Sequence, residues 1–323
     1  MQRLLKNALA AIGLMCLLPA LAAAQEWPQR QIKAVVPFPA GGGTDLIGRL
    51  AAKHIGDLLG QQVYVENIGG ANGSIGVQAV MRAEPDGYTI GVLSDGPMIV
   101  NPALYPNNPY QTLRDFIPVA MVNRFPSMLT ANPATGIKNV ADLIRVAKEK
   151  PGTLNYSSGG IGNFSHMGLE LLANQTDIKI IHVPYRGIGP ATQAILTGEV
   201  QLLYNNVATS LEHVRAGKSN GLAIGESKRL TGLPDVPTIA ETVQGYDFSA
   251  WIGLYVPAKT PPAIVAKLSK AVSDFLKIES VQKYFGDQFI TASYKDSPGF
   301  AAYIKAELTK WDKVVKTAGI KVQ

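Results

Sequence analysis

The chain has 323 residues, with 30 Lys+Arg against 24 Asp+Glu and a formal net charge of +6. That mild excess is scattered, which excludes the concentrated basic stripe of a nucleic-acid binder. A single cysteine, Cys16, excludes a disulfide framework, and the length suits two lobes better than one core.

Residues 1–24 read as a secretory signal peptide. Met1 to Asn7 carries Arg3 and Lys6, Ala8 to Leu21 is almost wholly apolar, and Ala22-Ala23-Ala24 offers a small-residue cleavage site before Gln25. The run is short of the roughly 20 apolar residues of a membrane helix. Met15, directly before Cys16, argues against lipid attachment. The expected mature chain is exported, begins at Gln25 after cleavage at Ala24, and contains no cysteine.

From Gln25 onward strand-like and helix-like patterns alternate. Gln31–Phe38, Gln62–Glu66 and Tyr88–Ser94 are short and β-branched. Thr44–Leu59 carries Leu46, Ile47, Leu50, Ala51, Ile55, Leu58 and Leu59 on a predicted apolar face and is closed by Gly60. Ser74–Ala83 is a shorter helix. The β-α-β-α-β order predicts a parallel sheet flanked by helices. The pattern restarts with strands at Phe116–Val122 and Ser127–Ala131, separated by a hinge-like Asn123-Arg124-Phe125-Pro126. Asn139 caps a helix reaching Lys150, and strands at Thr153–Ser157, Lys179–Val183 and Glu199–Tyr204 alternate with helices near Phe164–Gln175 and Ile188–Thr197. Strands at Gly221–Gly225 and Trp251–Val256 precede helices at Pro261–Lys277 and Pro298–Ala318. The expected organisation is an α/β fold with two lobes: residues 25–122 form the first, 123–220 the second, and 221–323 return to the first. Ligands of such folds bind beyond the carboxyl ends of the strands, here in the cleft between lobes.

Two glycine-rich loops carry the chemistry. Phe38-Pro39-Ala40-Gly41-Gly42-Gly43-Thr44-Asp45 joins a strand to a helix, and its glycines let backbone N–H groups approach a ligand. A helix start also favours an anion. It lacks the ending of a P-loop and the spacing of a dinucleotide fingerprint. A tight turn with an ordinary Thr or Asp N-cap explains this loop alone equally well. The second loop, Ser157-Ser158-Gly159-Gly160-Ile161-Gly162-Asn163-Phe164-Ser165-His166, has the same placement and more small donors. Two amide-lined loops, one from each lobe, suit a carboxylate without an arginine partner.

The series Pro37–Asp45, Val65-Glu66-Asn67, Gly73-Ser74-Ile75-Gly76, Pro85-Asp86-Gly87-Tyr88-Thr89 and Asn101-Pro102-Ala103-Leu104-Tyr105 resembles the tripartite tricarboxylate transporter substrate-binding proteins, or Bug proteins. So do Leu154–Gly159, His182-Val183-Pro184-Tyr185-Arg186-Gly187 and Leu233–Thr238, so the resemblance runs from about Trp27 to the C-terminus. It implies a periplasmic, monomeric solute receptor of the type II-like periplasmic-binding-protein fold, closing on a small carboxylate and delivering it to membrane permease subunits; the amide-lined loops would meet an amino acid equally well. It also implies that the two glycine loops, the Tyr185-Arg186-Gly187 turn and the strand end near Asn205 border the ligand. The candidate ligand-binding residues are therefore Phe38, Gly42, Gly43, Thr44, Asp45, Ser94, Ser158, Gly159, Gly162, Asn163, Ser165, His166, Tyr185, Arg186 and Asn205. Two positions depart from the family pattern: Tyr204-Asn205-Asn206 stands where Phe-Asp-Asn is common, and Asn163-Phe164 where small Thr or Ser residues are.

Asp45 has two readings, a loop or helix-start acceptor and a reader of a ligand ammonium. Arg186 has two as well, a carboxylate partner and a solvated side chain. Adjacent Ser165 and His166 point about 100° apart on a helix and make a poor nucleophile–base pair. No Gly-x-Ser-x-Gly elbow occurs, so no enzyme is expected. The histidines lack the i, i+4 spacing of zinc ligands, and no metal, cofactor or nucleic acid is expected. A receptor that feeds a signalling partner instead of a permease would need the same residues. A hydrolase built on Ser158 or Ser165 lacks an evident base and orienting acid.

Overall fold

The computed structural model describes residues 26–318 and Ile320; the signal-peptide reading of residues 1–24 and Cys16 lies outside them. Two sheets build two lobes. In the first, β1 (Ile32–Val36), β2 (Val63–Asn67) and β3 (Thr89–Ser94) are parallel, as the β-α-β-α-β order predicts. The rest of that sheet is antiparallel: β10 (Ala250–Pro257) lies between β3 and β4 (Phe116–Phe125), and β11 (Thr291–Lys295) closes the edge. The second sheet has the order β7-β6-β8-β5-β9, from β5 (Ser127–Ala131), β6 (Asn155–Ser158), β7 (Ile181–Pro184), β8 (Leu202–Asn206) and β9 (Asn220–Ile224).

The chain crosses between sheets at Pro126, where the hinge was expected, and again across residues 225–249. The second crossing comes later than the expected boundary at 221. The strand that begins at Asn220 pairs with β5, Met128 opposite Ile224, and so belongs to the second lobe. The first lobe likewise extends through Phe125 rather than ending at residue 122, because β4 continues beside β10 to Ala250.

Helix α1 (Gly43–Leu59) shows how the pattern becomes packing. Ile47, Ala51 and Ile55 recur every four residues and are buried against the first sheet. Burying each isoleucine stabilises the lobe by roughly 1.5–3 kcal/mol. Leu46 and Leu58, predicted on the same face, are nearly half exposed; Leu46 sits about 100° round the helix from Ile47. Gly60 closes the helix in the left-handed region, as expected. Helices α2 (Ser74–Met81), α3 (Asn101–Leu104), α4 (Thr112–Asp115) and α5 (Val140–Glu149) follow, the last capped by Asn139 through a 2.8 Å bond from the Asp142 N–H. Then come α6 (Phe164–Thr176), α7 (Ile188–Thr197), α8 (Val207–Arg215), α9 (Pro262–Phe275), α10 (Glu279–Asp287) and α11 (Ser297–Ala318).

One buried cluster runs through both lobes. Phe300 of α11 meets Trp251 edge-on at 5.3 Å in the first sheet, and Trp311 meets Phe248 of the second crossing at 4.8 Å. Arg124, at the end of β4, binds the second crossing directly. Its Nε donates to Ser249 Oγ at 2.7 Å, and its Nη2 donates to Asp247 Oδ1 at 2.6 Å.

Candidate functional site

Between the lobes lies a cleft of about 560 Å³, within the range of small-molecule sites. Four helices of nine or more residues begin at it. Gly42, Gly43 and Thr44 bring the start of α1, Asn163 and Phe164 that of α6, Gly187 and Ile188 that of α7, and Asn206 that of α8. The first lobe adds Phe38, Ser94 and Asp95, and the strand ends add Phe125 and Trp251.

The first loop stays open because a side chain beneath it does the holding. Gly42 is the N-cap of α1 and has no side-chain cap, so the Gly43, Thr44 and Asp45 N–H groups precede the first intrahelical bond, from Leu46 N–H to Gly42 O. Asp45 is the third helix residue, not the cap, and is 2% exposed. Its carboxylate accepts from Gly41 N–H at 2.9 Å, Arg49 Nε at 2.9 Å and Asn67 Nδ2 at 2.8 Å. Burial pushes its pKa up, but the bonds from Arg49, Gly41 and Asn67 outweigh that and hold it below the usual carboxylate value. Of the two readings of Asp45, the geometry is that of the loop acceptor, and Asp45 is not among the residues lining the cleft.

The second loop is built the same way. Ser165 Oγ accepts from Gly159 N–H at 3.1 Å and donates to Asn163 Oδ1 at 2.7 Å. Ser158 Oγ accepts from Gly160 N–H at 3.1 Å and lies 2.6 Å from His182 Nε2. His166 Nδ1 accepts from Gly162 N–H at 3.1 Å, so that nitrogen is unprotonated. Ser158, Ser165 and His166 are buried and shape the loop, while Gly162, Asn163 and Phe164 reach the cleft. Gly162 has φ +77°, and a Cβ there would stand 2.7 Å from Leu104 Cδ1 of the other lobe; only glycine permits that approach.

His166 and His182, far apart in sequence, stack at 3.9 Å beneath this loop, because Tyr156 of β6 pairs with His182 of β7 and α6 follows β6. Burial lowers their pKa values to about 3 and about 4, with the His182 neighbour lowering His166 further. Both imidazoles are neutral at pH 7. Among the described residues no group of three His, Cys, Asp or Glu side chains is placed to hold a metal ion.

Three predicted residues are displaced by one or two positions. Arg186 is exposed and outside the cleft lining, and Tyr185 OH donates to Glu199 Oε1 at 2.6 Å; Gly187 and Ile188 hold the cleft instead. Asn205 is buried and accepts from the Asn206 N–H at 2.8 Å, leaving Asn206 on the cleft with a buried Oδ1 that has no partner. Neighbouring strand residues face opposite sides, so a one-residue shift exchanges wall for interior. Gly159 packs under the loop, where a Cβ would sit 3.2 Å from Ile188 N.

Asp95 lines the cleft and is not among the residues the sequence singles out. It directly follows β3, is 6% exposed, and among the described residues is the one ionisable residue lining the cleft. In the sequence it is a lone acid after a strand, with nothing local to mark its burial. Among the described residues no helix is long and apolar enough to cross a membrane.

Known proteins share this sequence pattern and fold. The chain is 35% identical over 322 residues to protein BugT of Bordetella pertussis, covering 98% of each. The solved structure of Rpa4515 of R. palustris with adipate is 33% identical with a TM-score of 0.79, over 92% of this chain and 99% of that one. MatC from Rhodopseudomonas palustris with bound malate is 32% identical with a TM-score of 0.75, over 90% of this chain and all of the other, 100%. The family model for the tripartite tricarboxylate transporter family receptor matches residues 47–320, and the chain belongs to that family.

Proposed function

We propose that this protein is a periplasmic receptor that captures a small carboxylate between its lobes and hands it to the permease subunits of a tripartite tricarboxylate-type transporter, acting as a monomer and without a chemical step. The observation that carries the reading is the convergence of four helix N-termini, from both lobes, on one cleft that, among the described residues, is lined by no Lys, Arg or His. Unsatisfied first-turn N–H groups and the positive ends of the helix dipoles can replace the hydration shell of a carboxylate. The relatives solved with adipate and with malate support the same ligand class.

The cargo contacts fall to Phe38, Gly42, Gly43, Thr44, Ser94, Gly162 and Asn163, joined by Phe164, Gly187, Ile188 and Asn206. Asp45, Ser158, Ser165 and His166 hold the amides in place rather than touching the cargo. A ligand that bridges both lobes favours the closed form, and the closed surface is what a permease reads.

Thermal melting against a panel of carboxylic acids tests this. A ligand at about 100 times its Kd adds roughly 2.7 kcal/mol, a rise of several degrees for a protein of this size. A rise with one class of acid is the expected result. No rise with any acid, from protein shown by mass spectrometry to be ligand-free, would remove the carboxylate reading.

A further inference from the structure

We propose that Asp95 reads an ammonium group on the cargo, so that the preferred ligand is a small amino acid rather than a plain carboxylic acid. The proposal rests on the cleft being the cargo site and names what that site selects.

Asp95 is buried yet is one of the residues lining the cleft, between Ser94 and Gly96. It forms no ion pair among the described residues. Its protein partner from another strand is the Trp251 N–H, at a long 3.4 Å. The titratable groups that face it are Glu307 and Tyr303 of α11 and Tyr255 of β10, none of them cationic. Tyr255 OH is itself buried without a partner. A carboxylate in such a place lacks the counter-charge that buried charges require. Its pKa shows the strain: burial pushes it up to about 7, with the Glu307 charge adding to the rise and the Trp251 N–H opposing it.

The other walls supply the opposite polarity. The helix starts at Gly43, Phe164 and Ile188 present amides and positive dipole ends, while the first-lobe wall presents Asp95. A zwitterion satisfies both at once, its carboxylate on the amides and its ammonium on Asp95. A plain dicarboxylate would bring a second negative charge to a carboxyl that has no cationic partner, and a hydroxyl would supply a hydrogen bond but no charge.

A matched series isolates that one substituent: aspartate, malate and succinate, with alanine, lactate and propionate beside them, titrated calorimetrically into the intact protein at pH 7. The amino member of a series should bind at least about tenfold tighter than its hydroxy and unsubstituted counterparts. Its binding should release protons, detected by repeating the titration in buffers of different ionisation heat, because an ammonium beside Asp95 ionises it. Asp95→Asn should abolish both the preference and the proton release while the protein still melts cooperatively. A preference for the hydroxy or plain acid, or an amino preference that survives Asp95→Asn, would overturn the assignment. Plain acids binding with Asp95-independent affinity would overturn it too and leave the receptor reading standing; no binding by any member of a wider acid panel would remove the receptor reading itself.

Discussion

Gly187 offers a test in which a single methyl group should act through the backbone alone. Its φ of +106° and ψ of 168° lie in a region that essentially only glycine occupies, and a Cβ built there meets nothing within 4 Å. Gly187→Ala therefore adds no clash, only torsional strain of about 1–3 kcal/mol. If the chain keeps its conformation, the strain appears as lost stability. If it relaxes, the Ile188 N–H swings away from the cleft and the strain appears as lost affinity, roughly 5- to 150-fold. Urea unfolding and calorimetric titration of the best acid from the panel measure the two quantities, and together the losses should amount to about 1–3 kcal/mol. Gly286→Ala is the matched control. It also meets nothing within 4 Å, its φ is not positive, and it lies within α10, away from the cleft. There alanine should stabilise the protein by about 0.5–1 kcal/mol and leave affinity unchanged. Unchanged stability and unchanged affinity in Gly187→Ala would show that residue 187 needs no glycine, and the account of the α7 start would fail.

Arg124→Ala should destabilise the protein by roughly 2 kcal/mol in urea unfolding; a buried ion pair would cost more, but the Asp247 side chain is 41% exposed and partly screened. A loss under about 0.5 kcal/mol would show that the two crossings are not tied through this residue. Asp45→Asn should cost about 1.5–3 kcal/mol through weakened bonds to Arg49, Gly41 and Asn67. It should weaken cargo binding as well; affinity equal to wild type would mean that the loop does not need this anchor. His166 and His182 have folded pKa values of about 3 and about 4, below the ordinary 6.5, so the unfolded chain binds more protons between those limits. Their contribution to stability is complete above pH 6.5 and is lost as the pH falls towards 4. His182→Asn should therefore lose less stability than wild type between pH 7 and 4, and parallel urea-stability profiles for the two proteins would contradict the sign.

What could be read from the sequence was whatever is local. Strand–glycine–helix punctuation marked both amide loops, and Ile188–Thr197 begins and ends where its pattern says. Pairing between distant strands was not legible. Nothing near Asn220 says that it pairs with β5 instead of leading back to the first lobe, and the antiparallel insertion of β10 is equally silent. The differences between expected residues and cleft lining share a cause. Asn205 against Asn206 and Arg186 against Gly187 are matters of which side a residue faces, fixed by register and turn geometry. Of the two readings of Asp45, the loop acceptor follows from its place at a helix start; its particular donors, Arg49 and Asn67, come from the next helical turn and the next strand. Asp95 became visible only when a sheet and the terminal helix closed over it.

The position of β10 also governs the order in which this molecule can be completed. Residues 250–257 fill the slot between β3 and β4, and the last helix, from Ser297, carries Phe300 and Trp311 into the shared interior. A chain that emerges amino end first, from a ribosome or through a translocation channel, has an unfilled gap in its first sheet until most of its length is out. The second sheet is drawn entirely from residues 127–224 and closes earlier. Vectorial synthesis thus leaves the amino-terminal lobe, the earlier one in sequence, as the later one to consolidate. The long-range pairings that delay it are the slow kind, which keeps the emerging chain threadable until its carboxyl end arrives.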